Sequence, residues 1–314
     1  MDSLIRKSGW SERVAEMVHD AAVAKHNRLS KRHSGLREKC HTFFKRGILT
    51  KISSALVIIF ILIAIFCPYL TPYTPYEQSL RNKLKPWSKE HWLGTDNLGR
   101  DVLTRVLYGA RISIVTGVLS SLWAAVVGAA LGLTAGYSRG FLGSFLMRLT
   151  DAHLSIPPLI LVMVLAPIFG RTILGISIVI GISAIPSYVR MVYGQVLSLR
   201  ENDYVTAASV IGQSNFKILL KHLLPNCIPV VIVMFTSNVS TAITIEANLA
   251  YIGIGIRPPT PAWGVMISEG YNYLVSYPHL AIAPGIMLML LIISLNVVGD
   301  GIRDVIDPRL RGKL

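Results

Sequence analysis

The chain is divided by a succession of apolar runs, most of them long enough to cross a bilayer. A spanning helix needs about 20 mostly apolar residues. In lipid every backbone polar group must find its partner within the protein, so such runs fold as helices. Ile48 to Cys67 is the first run, with Lys51 near its inner end, and it stops at Cys67-Pro68-Tyr69. Ile112 to Tyr137 is the second. A third begins at Pro157-Pro158 and reaches about Gly170. Ile173 to Val192 is the fourth, with Pro186 placed to kink it. Ile228 to about Ile245 is the fifth and Leu280 to Val298 the sixth. The expected fold is therefore all-α: a polytopic membrane protein with six transmembrane helices.

Charge supplies the orientation. Only 15% of the residues are charged, yet the net charge is +14; a soluble domain carries about a quarter charged residues. Residues 1–51 hold 12 Lys and Arg against 5 Asp and Glu, half of the whole excess. Positive segments stay on the cytoplasmic side, and an even number of spans returns the chain there, so both termini are expected to be cytoplasmic. The 68–111 loop, nominally outside, runs against this rule with 7 Lys and Arg against 4 Asp and Glu. The first apolar run is long enough to stay in the membrane, so it reads as a span and not as a cleaved leader. A surface helix is expected over Ser11 to Ala24, where Val14, Met17, Val18 and Ala21 share a face. The basic tail lacks a motif or interleaved aromatics for nucleic acid and is expected to contact none. Four segments follow: a basic extension over 1–47, the first span with its outer loop over 48–111, a five-span core over 112–300, and a tail over 301–314.

Several chemistries find no support. The chain has no GxxxxGK[ST] phosphate loop, no HExxH zinc motif and no GxSxG nucleophile turn. Cys40, Cys67 and Cys227 are isolated and form neither a metal site nor a disulfide framework. Asp300 has no intramembrane aspartate to make an aspartyl dyad. Arg190 and Glu246 come nearest to intramembrane charges, and both fall near the ends of expected spans. A secondary transporter would need buried charges or an inverted repeat; neither is evident. Gly128, Gly132 and Gly136 recur every four residues and read as a close helix-packing face.

The 201–225 segment is the most informative. Asn202 or Asp203 can cap a short helix, Ala207 and Ala208 keep that helix slim, and Gly212 permits a tight reversal. Ser214 can cap a second helix carrying Phe216, Leu219, Leu220 and Leu223, and Pro225 then returns the chain to the membrane. This segment resembles the EAA loop of ABC importer permeases. Thr206-Ala207-Ala208, three residues, Gly212, nine residues, His222, one residue and Leu224-Pro225 reproduce its spacing; Thr206 stands at the usual glutamate and His222 at the usual isoleucine. His91 to Leu103 is similar to the LGTDxxGRD segment of peptide/nickel-type permeases, and Gly253 to Gly264 to their PPTPxWG loop. Gly299 to Arg309 is similar to their GDxLRDxLDPR ending, with Ile302 at the usual leucine. The resemblance covers about 48–314.

The resemblance implies the type I ABC importer permease architecture and a transport subunit that is no enzyme by itself. It implies a homologous second permease, two ATP-binding subunits that hold ATP and Mg, an extracellular solute-binding protein, and a bacterial or archaeal plasma membrane. This chain itself would bind no cofactor and no metal. Asp203, Tyr204, Thr206, Ala207, Ala208 and Gly212 would belong to a helix over 203–214 that docks on an ATPase. Ser237, Thr241, Thr244 and Asn248 fall on one helical face, with Asn238 beside them. Such a stripe can line a pathway or bond neighbouring helices, and the resemblance favours lining. Glu246 would meet a cationic substrate group or pair with a basic residue. Trp92, Trp263, Tyr271, Tyr273 and Tyr277 read as an interfacial belt or as a docking face for the binding protein. Asp96, Arg100 and Asp101 would brace a short helix there. The expected cargo is a di- or oligopeptide, with nickel or a metal chelate as the alternative.

Overall fold

The computed structural model describes residue 43 and residues 47–306. The helix expected over 11–24, most of the 1–47 extension and the Asp307-Pro308-Arg309 end of the last motif lie outside them. The chain divides into two compact units, Met1–Thr50 and Lys51–Leu314, and the second holds the helical bundle.

Among the described residues five helices are long and apolar enough to cross a membrane, and a bent pair brings the number to six when counted as one span. Helix α1 is Ile48–Leu70. Only a narrow stripe of it packs inward, through Phe60, Ala64 and Cys67, while most of its other large side chains are exposed. Helix α2, Val102–Tyr137, starts well before the expected Ile112. The reason is its cap: Asp101 Oδ2 accepts from the Thr104 backbone N–H and hydroxyl, both at 2.7 Å. That cap lets the polar stretch from Val102 to Arg111 join the apolar run as one helix. Asp101 therefore caps a span rather than a short surface helix.

The third run is the clearest departure from expectation. Its apolar part is only Pro158–Phe169 (α4), about 18 Å long at 1.5 Å per residue and too short to cross alone. It follows α3, Phe141–Leu154, at a bend of 92°. Arg148, expected in a loop, sits within α3. The break falls at Ser155-Ile156-Pro157, where two successive prolines disfavour helix in the residues ahead of them. Helix α5, Ile173–Leu199, runs past both Pro186 and the expected end at Val192.

The short helix α6, Asp203–Val210, starts where expected but ends before the expected 214, because Gly212 takes the left-handed backbone that stops a helix. Asn202 precedes it but does not cap it; its Nδ2 donates to Leu199 O at 3.0 Å and so closes the end of α5 instead. Ser214 likewise makes no side-chain cap. Pro225 does not turn the chain. Helix continues through α7, Asn215–Ile218, a π-helical turn over Leu219–Leu223, and α8, Leu224–Tyr251. A widened turn lets a helix carry a proline whose ring would otherwise strike an upstream carbonyl. Helix α9 is Trp263–Tyr271 and α10 is His279–Ile306.

Close packing of α2 on α5 makes the spine of the bundle. A Cβ added at Gly128, Gly132 or Gly136 would lie 2.5–2.8 Å from Tyr188, Val192 or Val196. The glycine stripe thus lets the two backbones approach, as its spacing suggests. Gly117 admits Ile243 of α8 in the same way. Helix α10 is tied to α8 by the Ser240 hydroxyl, which donates to Asn296 Oδ1.

Candidate coupling surface and translocation face

At one end of the bundle, α6 packs back on its own subunit through two residues. Val205 and Ala208 are buried in a cluster with Val192, Val196, Ile218, Leu223 and Cys227. The rest of the helix faces outward: Asp203, Tyr204, Thr206 and Ala207 are all exposed. Val210 is 81% exposed, Ile211 75% and Phe216 71%, so an apolar patch without a cover lies beside them. Gly212 has φ +77°, the left-handed region that favours glycine, and it turns the chain from α6 toward α7. Gln213 Oε1 lies 3.0 Å from His222 Nε2, and the Tyr204 ring is 6.3 Å from that imidazole. Hence His222, standing where the family motif has isoleucine, braces the elbow. Val210 and Ile211 were not singled out by sequence, and Phe216 only as part of the second helix; three large apolar residues flanking a glycine in a polar loop are the signal that points to them as a patch.

The opposite end is a clamp of four charged side chains. Arg100 Nε donates to Asp96 Oδ2, and Arg100 Nη2 reaches Glu269 Oε2 at 2.9 Å. Arg105 lies 3.5 Å from Asp96 and 3.6 Å from Glu269, and its Nη1 donates to the carbonyls of Pro75 and Pro259 at 3.2 Å each. His91 Nδ1 is 2.9 Å from Asp101 Oδ1. The clamp joins the 68–101 loop, the start of α2 and α9. Sequence reading found Asp96 and Arg100 but not Arg105 or Glu269, because the partners are 169 residues apart in the chain.

Trp263 is fully buried; its Nε1 donates to Val106 O at 2.8 Å, its ring meets Phe60 edge-on at 5.9 Å, and Gly109 leaves it room. Arg100 and Asp96 are buried too. These three side chains are thus not surface groups: any docking runs through the loops they hold. Replacing Trp263 with Phe keeps most of the buried ring and loses the N–H···O bond. We expect it to cost about 1 kcal/mol, read as a modest fall in the Tm of purified protein with assembly intact.

On α8, Ser237, Thr241, Thr244 and Asn248 are exposed along one face, as their spacing suggests. Three of them also bond their own helix: Ser237 Oγ to Val233 O, Thr241 Oγ1 to Ser237 O, and Thr244 Oγ1 to Ser240 O, at 2.9–3.3 Å. This settles their hydroxyl hydrogens inward and leaves oxygen lone pairs outward. Asn238 turns toward α2, where Ser121 Oγ approaches its Oδ1 at 3.5 Å. Glu246 is not on this face. It is fully buried among the helices, and among the described residues neither carboxyl oxygen has a hydrogen-bond partner. In this conformation the side chain is enclosed by its own chain.

Comparison with known proteins agrees with this anatomy. Residues 128–312 match the family model described as binding-protein-dependent transport system inner membrane component. Residues 43–86 match the N-terminal TM domain of oligopeptide transport permease C. The dipeptide transport system permease protein DppC of Alkalihalophilus pseudofirmus is 37% identical over 267 residues, 85% of this chain and 88% of that protein. The glutathione transport system permease protein GsiD of Pectobacterium atrosepticum is 33% identical over 284 residues, 89% of this chain and 94% of that protein. A chain of the MetNI methionine ABC transporter in an inward-facing conformation superposes with TM-score 0.52 at 19% identity, over 65% of this chain and 96% of that one. The last likeness shows the fold, that of a type I ABC importer permease. The chain belongs to the inner membrane components of binding-protein-dependent transport systems and is a multi-pass ABC importer permease.

Proposed function

We propose that this chain forms half of the translocation route of an ATP-driven importer for di- or oligopeptides, beside a homologous second permease. The similarity to permeases named for dipeptide and glutathione over most of both chains carries the reading. Two cytoplasmic ATP-binding subunits hold ATP and Mg, and an extracellular solute-binding protein delivers the cargo; this chain contributes no ATPase site and binds no cofactor of its own. Both termini lie in the cytoplasm of a bacterial or archaeal cell.

In this reading α6 is the coupling helix. Asp203, Tyr204, Thr206 and Ala207 face the ATPase, with Val210, Ile211 and Phe216 as apolar contacts, while Val205 and Ala208 carry the motion to α5 and to the α7–α8 helix. Because α7 runs into α8 through one π-helical turn, a push on the elbow passes directly to the span bearing Ser237, Thr241, Thr244 and Asn248. Those groups line the route and offer cargo weak, exchangeable hydrogen bonds. The clamp around Asp96 and Arg100, backed by Trp263, presents the outer loops to the binding protein. ATP-driven closure of the partner subunits then rocks the helices between inward-open and outward-open states.

The test is uptake by the whole importer, reconstituted in liposomes with its ATPases and binding protein. Labelled di- and tripeptides are expected to accumulate only when ATP and Mg are supplied on the ATPase side. Accumulation of nickel without peptide uptake would replace the peptide reading with the metal one.

A further inference from the structure

One ion pair lies apart from both the clamp and the elbow. Arg190 Nη2, on α5, donates to Asp151 Oδ1, on α3, at 2.7 Å. The two side chains are 56% and 55% exposed. Their depth is what makes this unusual. Near the inner ends of α5 and α2, Arg200 Nη1 bonds Gly136 O at 3.0 Å. Arg190 lies about 15 Å along the helix from that point, and about 26 Å from the outer start of α5 at Ile173, by the helical rise. Against a hydrocarbon core about 30 Å thick, an α5 that enters it at Ile173 carries the pair in the inner part of that core.

Charged groups at that depth face a protein interior or a water-filled cavity, not lipid. Neighbouring residues divide accordingly. On α3, Phe141, Leu142, Phe145 and Leu149 form an exposed apolar side. Ser144, Arg148 and Ser155 are exposed on the side that carries Asp151. On α5, Ser187, Gly194 and Ser198 are exposed at helical spacing around Arg190. The polar faces of both helices are therefore turned the same way, out of this chain and away from its lipid-type surface.

The geometry points to a cargo site: we propose that Asp151 and Arg190 line the water-filled inner half of the route and briefly hold the two charged ends of a passing peptide. This rests on the peptide-importer reading. Arg190 takes the carboxylate, since the pair occupies one N–H of a guanidinium that has five and whose fork suits a carboxylate. Asp151 takes the ammonium group. Arg148, one turn back on the same side, leaves the site with one excess positive charge, so the carboxylate end is the better held. Because the ion pair re-forms behind each peptide, the site releases its cargo.

Two measurements on the assembled importer test this. In the first, Arg190→Cys is introduced with the native cysteines replaced, and a positively charged methanethiosulfonate is added from the ATPase side without ATP. Labelling is expected, and excess dipeptide is expected to slow it; no labelling overturns the proposal. In the second, Arg190→Ala and Asp151→Asn are compared with the unmodified importer in liposomes. Maximal dipeptide uptake is expected to fall at least tenfold, with the half-saturating concentration, the stimulated ATPase rate and Tm unchanged. Uptake at the unmodified rate overturns the proposal, as does a fall in Tm large enough to explain the loss, which would make the pair a structural bracket. If the unmodified importer carries no peptide, the peptide reading fails and takes the cargo site with it; the labelling still reports whether this face is wet.

Discussion

Replacing Gly132 with Leu is expected to remove nearly all folded permease from the membrane. A Cβ at this position would stand 2.8 Å from the Val189 carbonyl oxygen and 2.8 Å from Val192 Cβ. One of these atoms is backbone, so rotating a side chain cannot relieve the clash. The axes of α2 and α5 would have to part along the whole glycine stripe, opening gaps at Gly128 and Gly136 as well. Overpacking of this sort costs about 3 kcal/mol or more, and between membrane helices close packing is itself the main attractive force. The measurement is the yield and Tm of protein extracted in mild detergent. Gly285→Leu on α10 is the control, since nothing lies within 4 Å of a Cβ there; it is expected to accumulate normally. Equal yields for the two variants would show that the α2–α5 contact is not the spine of the bundle.

What could be read from sequence followed the range of each interaction. The glycine stripe was legible because its partners need only be close, not named; four-residue spacing fixes a face whatever it packs on. The hydroxyl stripe of α8 was legible for the same reason, and all four members emerge exposed. Glu246 was misread because it lies only two residues after Thr244, which puts it on a different face, inside the bundle. The α3–α4 bend is not legible in hydropathy, because α3 interleaves Ser144, Arg148, Thr150, Asp151 and His153 with its apolar residues. Asp96, Arg100 and Trp263 were singled out as chemically conspicuous, but whether a polar or aromatic group faces out is set by distant residues. Glu269 neutralises Arg100, and Gly109 makes space for Trp263. The Asp151–Arg190 pair was hidden similarly: Arg190 looked like a span end until α5 proved to extend to Leu199.

Two adjacent alanines on α6 should give opposite phenotypes, and this separates docking from folding. Ala207 is exposed and Ala208 is 4% exposed, packed with Val205 against Val192 and Val196. A glutamate at 207 extends into the surface that the proposed function assigns to the ATPase groove. There it must be buried without a partner or hold the two proteins apart; a penalty of about 3 kcal/mol corresponds to docking weakened on the order of a hundredfold. Ala207→Glu is therefore expected to leave the yield and Tm of the isolated permease unchanged and to abolish ATP-dependent uptake. Stimulation of the ATPases by the loaded binding protein should vanish with it. Ala208→Glu instead forces a carboxylate into the cluster beneath the helix, so Tm of the isolated permease should fall before any partner is added. Val210→Ser with Ile211→Ser supplies an independent check: it removes exposed apolar area without adding charge, and is expected to weaken ATPase co-purification while sparing Tm. Co-purification at the unmodified level in both Ala207→Glu and the double serine variant would show that the ATPase docks elsewhere. In that case the exposed apolar patch at Val210, Ile211 and Phe216 would need another partner, since its exposure alone does not name one.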